Sequence, residues 1–237
     1  MEEIIKVKGL KKSYGGVTAV SDISFEVQKG QSFGLLGANG AGKSTTIECI
    51  LGTKSLDAGE VSILGMNPIK HRKKLFQRVG VQFQEGSYQE KITVSELCET
   101  THALYKSPGD YLELIETFKL KDKMQRQVKD LSGGERQRLF IVLALIPSPQ
   151  VVFLDELTTC LDTKARRDLW KYISGLKSQG ITIFLTSHYM DEVQILCDKV
   201  AILKKGRVVF YGTVSEAIAS SPFENFEDAY LWYAGEE

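Results

Sequence analysis

The chain has 237 residues and a mass of 26.5 kDa, is 43% hydrophobic and 25% charged, and can bury a substantial core as one large domain or a domain with a subdomain. Thirty Lys and Arg residues cancel thirty Asp and Glu residues, which argues against nucleic acid held by bulk charge. Cys49, Cys98, Cys160 and Cys197 form no C-x-x-C pair, the charged start Met1-Glu2-Glu3-Ile4-Ile5-Lys6 lacks a signal-peptide core, and the longest apolar run (residues 139–146) is too short to span a membrane. A cytosolic, reducing location without disulfides or a zinc site is expected, with any membrane attachment made through a partner.

Residues 4–7 and 23–27 alternate apolar with polar side chains, as half-buried strands do, and Tyr14-Gly15-Gly16 between them reads as a turn. Tyr14 lies where a ring can stack on a base or simply pack the turn. The apolar run Ser32-Phe33-Gly34-Leu35-Leu36 then enters Gly37-Ala38-Asn39-Gly40-Ala41-Gly42-Lys43-Ser44, followed by a helix opening at Thr45. Strand, glycine-rich turn and helix form the setting in which G-x-x-x-x-G-K-[ST] cradles phosphates. The glycines let backbone N–H groups point inward, the helix N-terminus favours an anion, Lys43 suits the β/γ-phosphates and the Ser44 hydroxyl suits Mg²⁺.

Residues 57–65 read as a turn feeding a short strand, and Val79-Gly80-Val81-Gln82-Phe83-Gln84 as another strand ending in an amide. From 85 to 150 the periods become helical: Thr93 and Glu96 form a capping box, residues 111–118 are amphipathic, and Leu131-Ser132-Gly133-Gly134-Glu135 precedes an apolar helix stopped by Pro147. Val151-Val152-Phe153-Leu154 reads as a strand buried on both faces and ends in Asp155-Glu156. A crossover helix spans 166–176, a second buried strand spans 181–188 and ends in His188, and residues 200–211 make a hairpin. Residues 221–237 read as an acidic, aromatic tail. His71, in the basic run 70–74, and His102 are expected to be solvated.

These elements predict an α/β fold: a mostly parallel sheet with an antiparallel N-terminal part and a helical insertion. In such sheets ligands bind beyond the carboxyl ends of the strands, so Gly37, Gln84, Asp155, Glu156 and His188 should meet at one edge. Asp155 suits water-mediated Mg²⁺ binding, Glu156 can orient or deprotonate an attacking water, and a His188 N–H can complement charge on a γ-phosphate. Adjacent acids after a strand also suit helix N-capping.

Assembled, these residues resemble the ATP-binding subunit of an ABC transporter along essentially the whole chain. Leu131-Ser132-Gly133-Gly134-Glu135 matches the family signature, and Tyr14, Gln84, Asp155-Glu156, Leu161-Asp162 and His188 fall in the family's order. The resemblance implies a phosphate-loop NTPase (RecA-like) core from 1–84 and 151–220, an antiparallel β subdomain, a helical signature subdomain at 85–150 and a C-terminal tail at 221–237. It implies ATP and Mg²⁺ held by Tyr14, Gly37, Asn39, Gly40, Ala41, Gly42, Lys43, Ser44 and Thr45, with Gln84 and Asp155 also on the metal side and Glu156, His188 and Gln84 catalytic. It implies a head-to-tail homodimer or heterodimer in which Ser132 and Gly134 of one copy close over the other copy's ATP. It also implies a membrane permease partner at the cytoplasmic face, with residues 85–94 as the docking surface.

The sequence around Gly34 to Gly40 and the ending Phe226-Glu227-Asp228-Ala229-Tyr230-Leu231 resemble ATPases of ABC-2 type export permeases, including antibiotic exporters. Two positions depart from the family pattern: Leu157 stands where Pro is usual, and Cys160 where Gly is usual, in the loop thought to connect the two ATP sites. A soluble relative acting in DNA repair or on the ribosome, or a nucleotide sensor with weak hydrolysis, are the other readings. Relatives of the first kind usually show coiled-coil insertions, zinc or iron–sulfur cysteines or two ATPase halves in one chain, and none of these is read in this sequence.

Overall fold

In the computed structural model, which describes residues 2–82, 88–158 and 161–235, the chain opens with two long strands, β1 (Glu3–Tyr14) and β2 (Val17–Gln28), joined by a turn at Gly15-Gly16. β3 (Ser32–Gly37) leads through the glycine-rich loop into α1 (Lys43–Ile50), and β4 (Ala58–Ile63), α2 (Arg72–Leu75) and β5 (Val79–Gln82) follow. Three helices come next, α3 (Val94–Ala103), α4 (Tyr111–Thr117) and α5 (Gly133–Leu145). The chain then returns through β6 (Val151–Leu154), α6 (Thr163–Ser178), β7 (Thr182–Leu185) and α7 (Met190–Leu196). It ends in the hairpin β8 (Lys199–Lys204) and β9 (Arg207–Gly212), then α8 (Val214–Ala219) and α9 (Phe226–Ala234).

Two sheets result. An antiparallel sheet has the order β2-β1-β4, and a six-stranded sheet has the order β5-β6-β7-β3-β8-β9 with only the last pair antiparallel. The central strands β6 and β7 are buried throughout, as a parallel sheet covered on both faces requires. Their side chains alternate between two cores. Val151 and Phe153 of β6 and Phe184 of β7 join the cluster shared with α1 and the antiparallel sheet, while Val152, Leu154, Ile183 and Leu185 join the cluster under the helices. Phe25 stacks on Phe33 with ring centroids 4.9 Å apart, and Phe33, Phe184 and Phe153 continue the row, which fastens the antiparallel sheet to the parallel one.

Local chemistry sets the helix starts. Capping boxes stand at Thr93 with Glu96, Ser132 with Glu135 and Thr213 with Glu216, and Asp162 accepts from Ala165 N at 2.8 Å to cap α6. Two helices, α7 and α8, lie where periodicity alone gave no element. Both are short, and tertiary burial of Met190, Val193, Leu196 and Ala217 decides them. The second buried strand ends at Leu185 rather than His188: the Thr186 N–H still bonds Leu154 O at 3.0 Å, and beyond it Ser187 turns into its own loop, its Oγ accepting from Tyr189 N at 3.0 Å.

The segment read as a tail carries α9, whose Phe226 is fully buried against a cluster that includes Leu36, Val200, Ile202 and Tyr230. Leu36 sits at the end of β3, directly before the glycine-rich loop, so this helix buttresses the strand that delivers the loop. Phe226→Ala is expected to lower stability by about 3–5 kcal/mol through loss of a packed ring and the cavity left behind. Urea denaturation measures it, and an unchanged midpoint would show α9 to be a loose appendage.

Candidate active site

The parallel register sets Gln82, Leu154 and Leu185 level with Gly34 of β3, and β3 runs on past them at the same edge of the sheet to Gly37, level with Leu203 of β8. Beyond Gly37 the loop closes on itself, with Ala41 N donating to Ala38 O at 3.1 Å, and Gly206 N in the β8–β9 turn clamps it through Ala41 O at 3.0 Å. Gly42 caps α1 with φ of 104°, a left-handed conformation, and a side chain there would lie 2.7 Å from Ala19 O of β2. Lys43 is only 8% exposed, and its Nζ donates to Gly37 O at 2.6 Å and Ala38 O at 3.2 Å, so the ammonium sits inside the curl. Asn39, Gly40 and Ser44 are exposed, Ala41 is buried and Thr45 is half-buried.

Asp155 follows β6. With Ser44, Ile47, Glu48 and Thr53 it lines a cavity of about 220 Å³. Its Oδ1 accepts from the Thr186 hydroxyl at 2.5 Å. Burial pushes the Asp155 carboxyl above the ordinary carboxylate range; Glu156 adds to this, while the Thr186 hydroxyl and the Lys43 ammonium oppose it. Glu156 adopts φ of 51°, uncommon for a residue with a side chain, and its N–H donates to the same Thr186 Oγ at 2.9 Å. That turn aims its carboxylate at His188, with Glu156 Oε1 lying 3.0 Å from His188 Nε2.

Sequence reading passed over Thr186 and Gln82. The buried Gln82 exchanges Asp155 N→Gln82 O at 3.1 Å and Gln82 Nε2→Asp155 O at 3.2 Å, which prolongs the β5–β6 ladder by one residue. A polar residue at the end of an apolar strand was the available signal for both. Gln84, expected at this edge, lies outside the described residues, as does Cys160.

Ser132 and Gly134 stand at the start of α5. Ser132 Oγ accepts from Glu135 N at 3.2 Å and Glu135 Oε2 accepts from Ser132 N at 2.8 Å; the Ser132 N–H holds the Glu135 carboxyl below the usual range. A side chain at Gly134 would approach Leu161 Cδ2 at 3.1 Å, so the signature helix and the segment after Glu156 are in close packing. Leu157 is fully buried in the core beneath the helices, and its carbonyl accepts from Gln137 Nε2 of α5 at 2.9 Å. Packing and one hydrogen bond thus fix the position where the family usually has proline. Tyr14 is 42% exposed at the tip of the β1–β2 hairpin, with Lys12 Nζ 5.4 Å from its ring centroid.

The family model described as ABC transporter matches residues 20–159. The chain belongs to the ABC transporter family. Among curated relatives of this ABC protein, the Nod factor export ATP-binding protein I of Ralstonia nicotianae is 39% identical over 220 residues, which cover 91% of this chain and 68% of that one. The linearmycin resistance ATP-binding protein LnrL of Bacillus subtilis is 34% identical, over 90% of this chain and 70% of its own. A solved structure of the ATP-binding subunit of an ABC transporter superposes with a TM-score of 0.89 at 26% identity, covering 97% of this chain and 99% of the other. This confirms the expected cassette fold, with its mostly parallel sheet, antiparallel N-terminal sheet and helical subdomain.

Thr186 is the shared partner of Asp155 and Glu156. Thr186→Val removes the donor to Asp155 and the acceptor for Glu156 N–H, leaving both groups short of a partner. It is expected to cost about 1–3 kcal/mol of stability. Turnover, measured by phosphate release, is expected to fall about tenfold; unchanged values for both would show that this hydroxyl organises nothing.

Proposed function

We propose that this ABC protein binds Mg-ATP at the sheet edge and hydrolyses it, and that a pair of such domains uses the cycle to drive a membrane permease, in the direction of export. The observation that carries the reading is the Glu156–His188 pair, 3.0 Å apart, on the same edge as the Lys43 loop and the Ser44–Asp155 cavity. Nucleophile activation and charge stabilisation need those groups together, and two loops from different strands supply them.

In this reading the backbone N–H groups of residues 37–45, with Asn39, Gly40 and Ala41 at the loop tip, wrap the β- and γ-phosphates, and Tyr14 offers its exposed ring to the base. Lys43 exchanges its loop carbonyls for phosphate oxygens. The hydroxyl and carboxylate oxygens of Ser44 and Asp155, lining one small cavity, fit a hard cation, and Gln84 is a further metal-side residue. Bound Mg²⁺ would neutralise charge developing on the phosphates. Glu156 orients the attacking water and takes its proton, while His188 holds Glu156 through its ring and presents to the γ-phosphate.

The exposed start of α5 supports a composite site. Gly133 and Gly134 N–H groups lie in the first turn of a 13-residue helix, where donors have no intrahelical partner, and Ser132 caps it. A second copy approaching head to tail would set this terminus over the γ-phosphate, in either a homodimer or a heterodimer. ATP binding then favours the closed pair, and product release reopens it, a population shift driven by the nucleotide's preference for one state.

The relatives named for Nod factor export and linearmycin resistance favour export and a location at the cytoplasmic face of a membrane, held by the permease. Among the described residues no helix is long and apolar enough to cross a membrane. Residues 85–94, of which 88–94 are described, are the docking surface favoured by position.

Glu156→Gln keeps the shape and the contact to His188 but removes the base. It is expected to bind ATP, form a persistent dimer by size exclusion, and hydrolyse at least about a hundredfold more slowly. Near-normal turnover of that variant would remove Glu156 from the role.

A further inference from the structure

The hairpin of β1 and β2 ends in a tip with little beneath it. Residues 14–18, with Tyr14 at their head, are all exposed, and a side chain at Gly15 or Gly16 would meet nothing within 4 Å. β4 flanks β1 as far as Lys11, which pairs with Ala58. From Lys12 to Tyr14 the strand is accompanied by β2 alone. A two-stranded ribbon is marginal in water, so the tip needs a further anchor to hold one position.

Asp57, immediately before β4, supplies it. Its N–H donates to Lys11 O at 2.9 Å, which closes the β1–β4 ladder. Where the next strand carbonyl would stand, Asp57 Oδ2 accepts from Ser13 N at 2.7 Å, and Oδ1 accepts from Lys12 Nζ at 3.0 Å. The same Lys12 ammonium lies over the Tyr14 ring, so the opposite face of that ring is the one left for a ligand.

We infer that Asp57 is a positioning residue for nucleotide binding: its carboxylate stands in for the third strand that β1 lacks beyond Lys11, and so fixes where Tyr14, the next residue after Ser13, presents its ring. This rests on the reading of Tyr14 as the ring that stacks on the base. Of the two side-chain contacts, the one to the backbone is the tether. The ion pair is open to solvent, with 45% of the Asp57 side chain exposed, and such pairs contribute little. The Ser13 bond gives a charged acceptor to a strand N–H that no β4 carbonyl reaches. An asparagine oxygen can accept the same bond, whereas alanine leaves Ser13 N to water. The phosphate loop keeps its own clamps, Gly206 N to Ala41 O and Gly42 against Ala19. Loss of the tether therefore weakens the hold on the base and spares the hold on the phosphates.

The test measures kcat and KM for ATP hydrolysis by the purified full chain, together with inhibition of that turnover by inorganic tripolyphosphate, which has the phosphates and no base. Asp57→Ala is expected to raise KM about fivefold, with kcat and tripolyphosphate inhibition within about twofold of the parent chain. Asp57→Asn is expected to stay within about twofold in all three. Tyr14→Ala sets the ceiling for loss of the stack, and adding Asp57→Ala to it is expected to raise KM by less than about a further twofold. A folded Asp57→Ala with unchanged KM overturns the inference. So does tripolyphosphate binding weakened in step with ATP, which places the effect at the phosphate loop, or an Asp57→Asn variant as impaired as Asp57→Ala. Should Asp57→Ala not fold, Asp57→Leu, similar in shape and without an acceptor, decides, and an unchanged KM there overturns it. An unchanged KM in Tyr14→Ala removes the stacking reading itself, whereas a raised KM there with a normal Asp57→Ala removes only the role given to Asp57.

Discussion

Parallel strands covered on both faces are apolar along their length and can carry polar chemistry only where they end. Here β3, β5, β6 and β7 run the same way in one ladder, so their ends fall on one edge and the site can form nowhere else. The ladder is also extended past the strands. Asp155 N bonds to Gln82 O and Thr186 N to Leu154 O, which carries the register into the residues that matter. The position of Glu156 and His188 is in this sense inherited from the pairing of Val152 with Ile183 and Leu154 with Leu185 two to five residues earlier.

Short polar contacts then refine what the sheet delivers. The Thr186 hydroxyl donates to one acid and accepts from the backbone of the next, and the left-handed turn at Glu156 is affordable because that hydroxyl and the buried Leu157 hold it from both sides. Such strain persists only where neighbouring structure over-determines it. The helical part of the molecule joins the same assembly. Gln137 of α5 bonds the Leu157 carbonyl and Gly134 packs toward Leu161, so the signature helix and the loop of the acids are mechanically one unit. A displacement of α5 would be felt at Glu156 through direct contact rather than through a long relay.

The replacement of the usual proline by Leu157 shows how a departure from a family pattern can be absorbed. Proline restricts φ covalently; leucine leaves φ open but contributes a side chain that is fully buried beneath α5 and α6. Restriction by packing takes the place of restriction by a ring.

Much of this protein was legible in one dimension. The glycine-rich loop, the alternation of buried strands with helices, the capping box at Thr93 and the polar ends of the apolar strands are local patterns, and local stereochemistry is enough to set them. The antiparallel and parallel strands fell where alternation and apolar runs predicted, though β7 proved shorter and α9 more structured than the residues alone implied. What only the tertiary structure decided depends on groups distant in sequence. The joint use of Thr186 by Asp155 and Glu156, the hydrogen bond from Trp170 of α6 to the buried Glu192 of α7, and the docking of Phe226 behind Leu36 arise from separate segments brought together by the sheet. No periodicity or spacing encodes them, because each exists only after non-local burial has removed water as the competing partner.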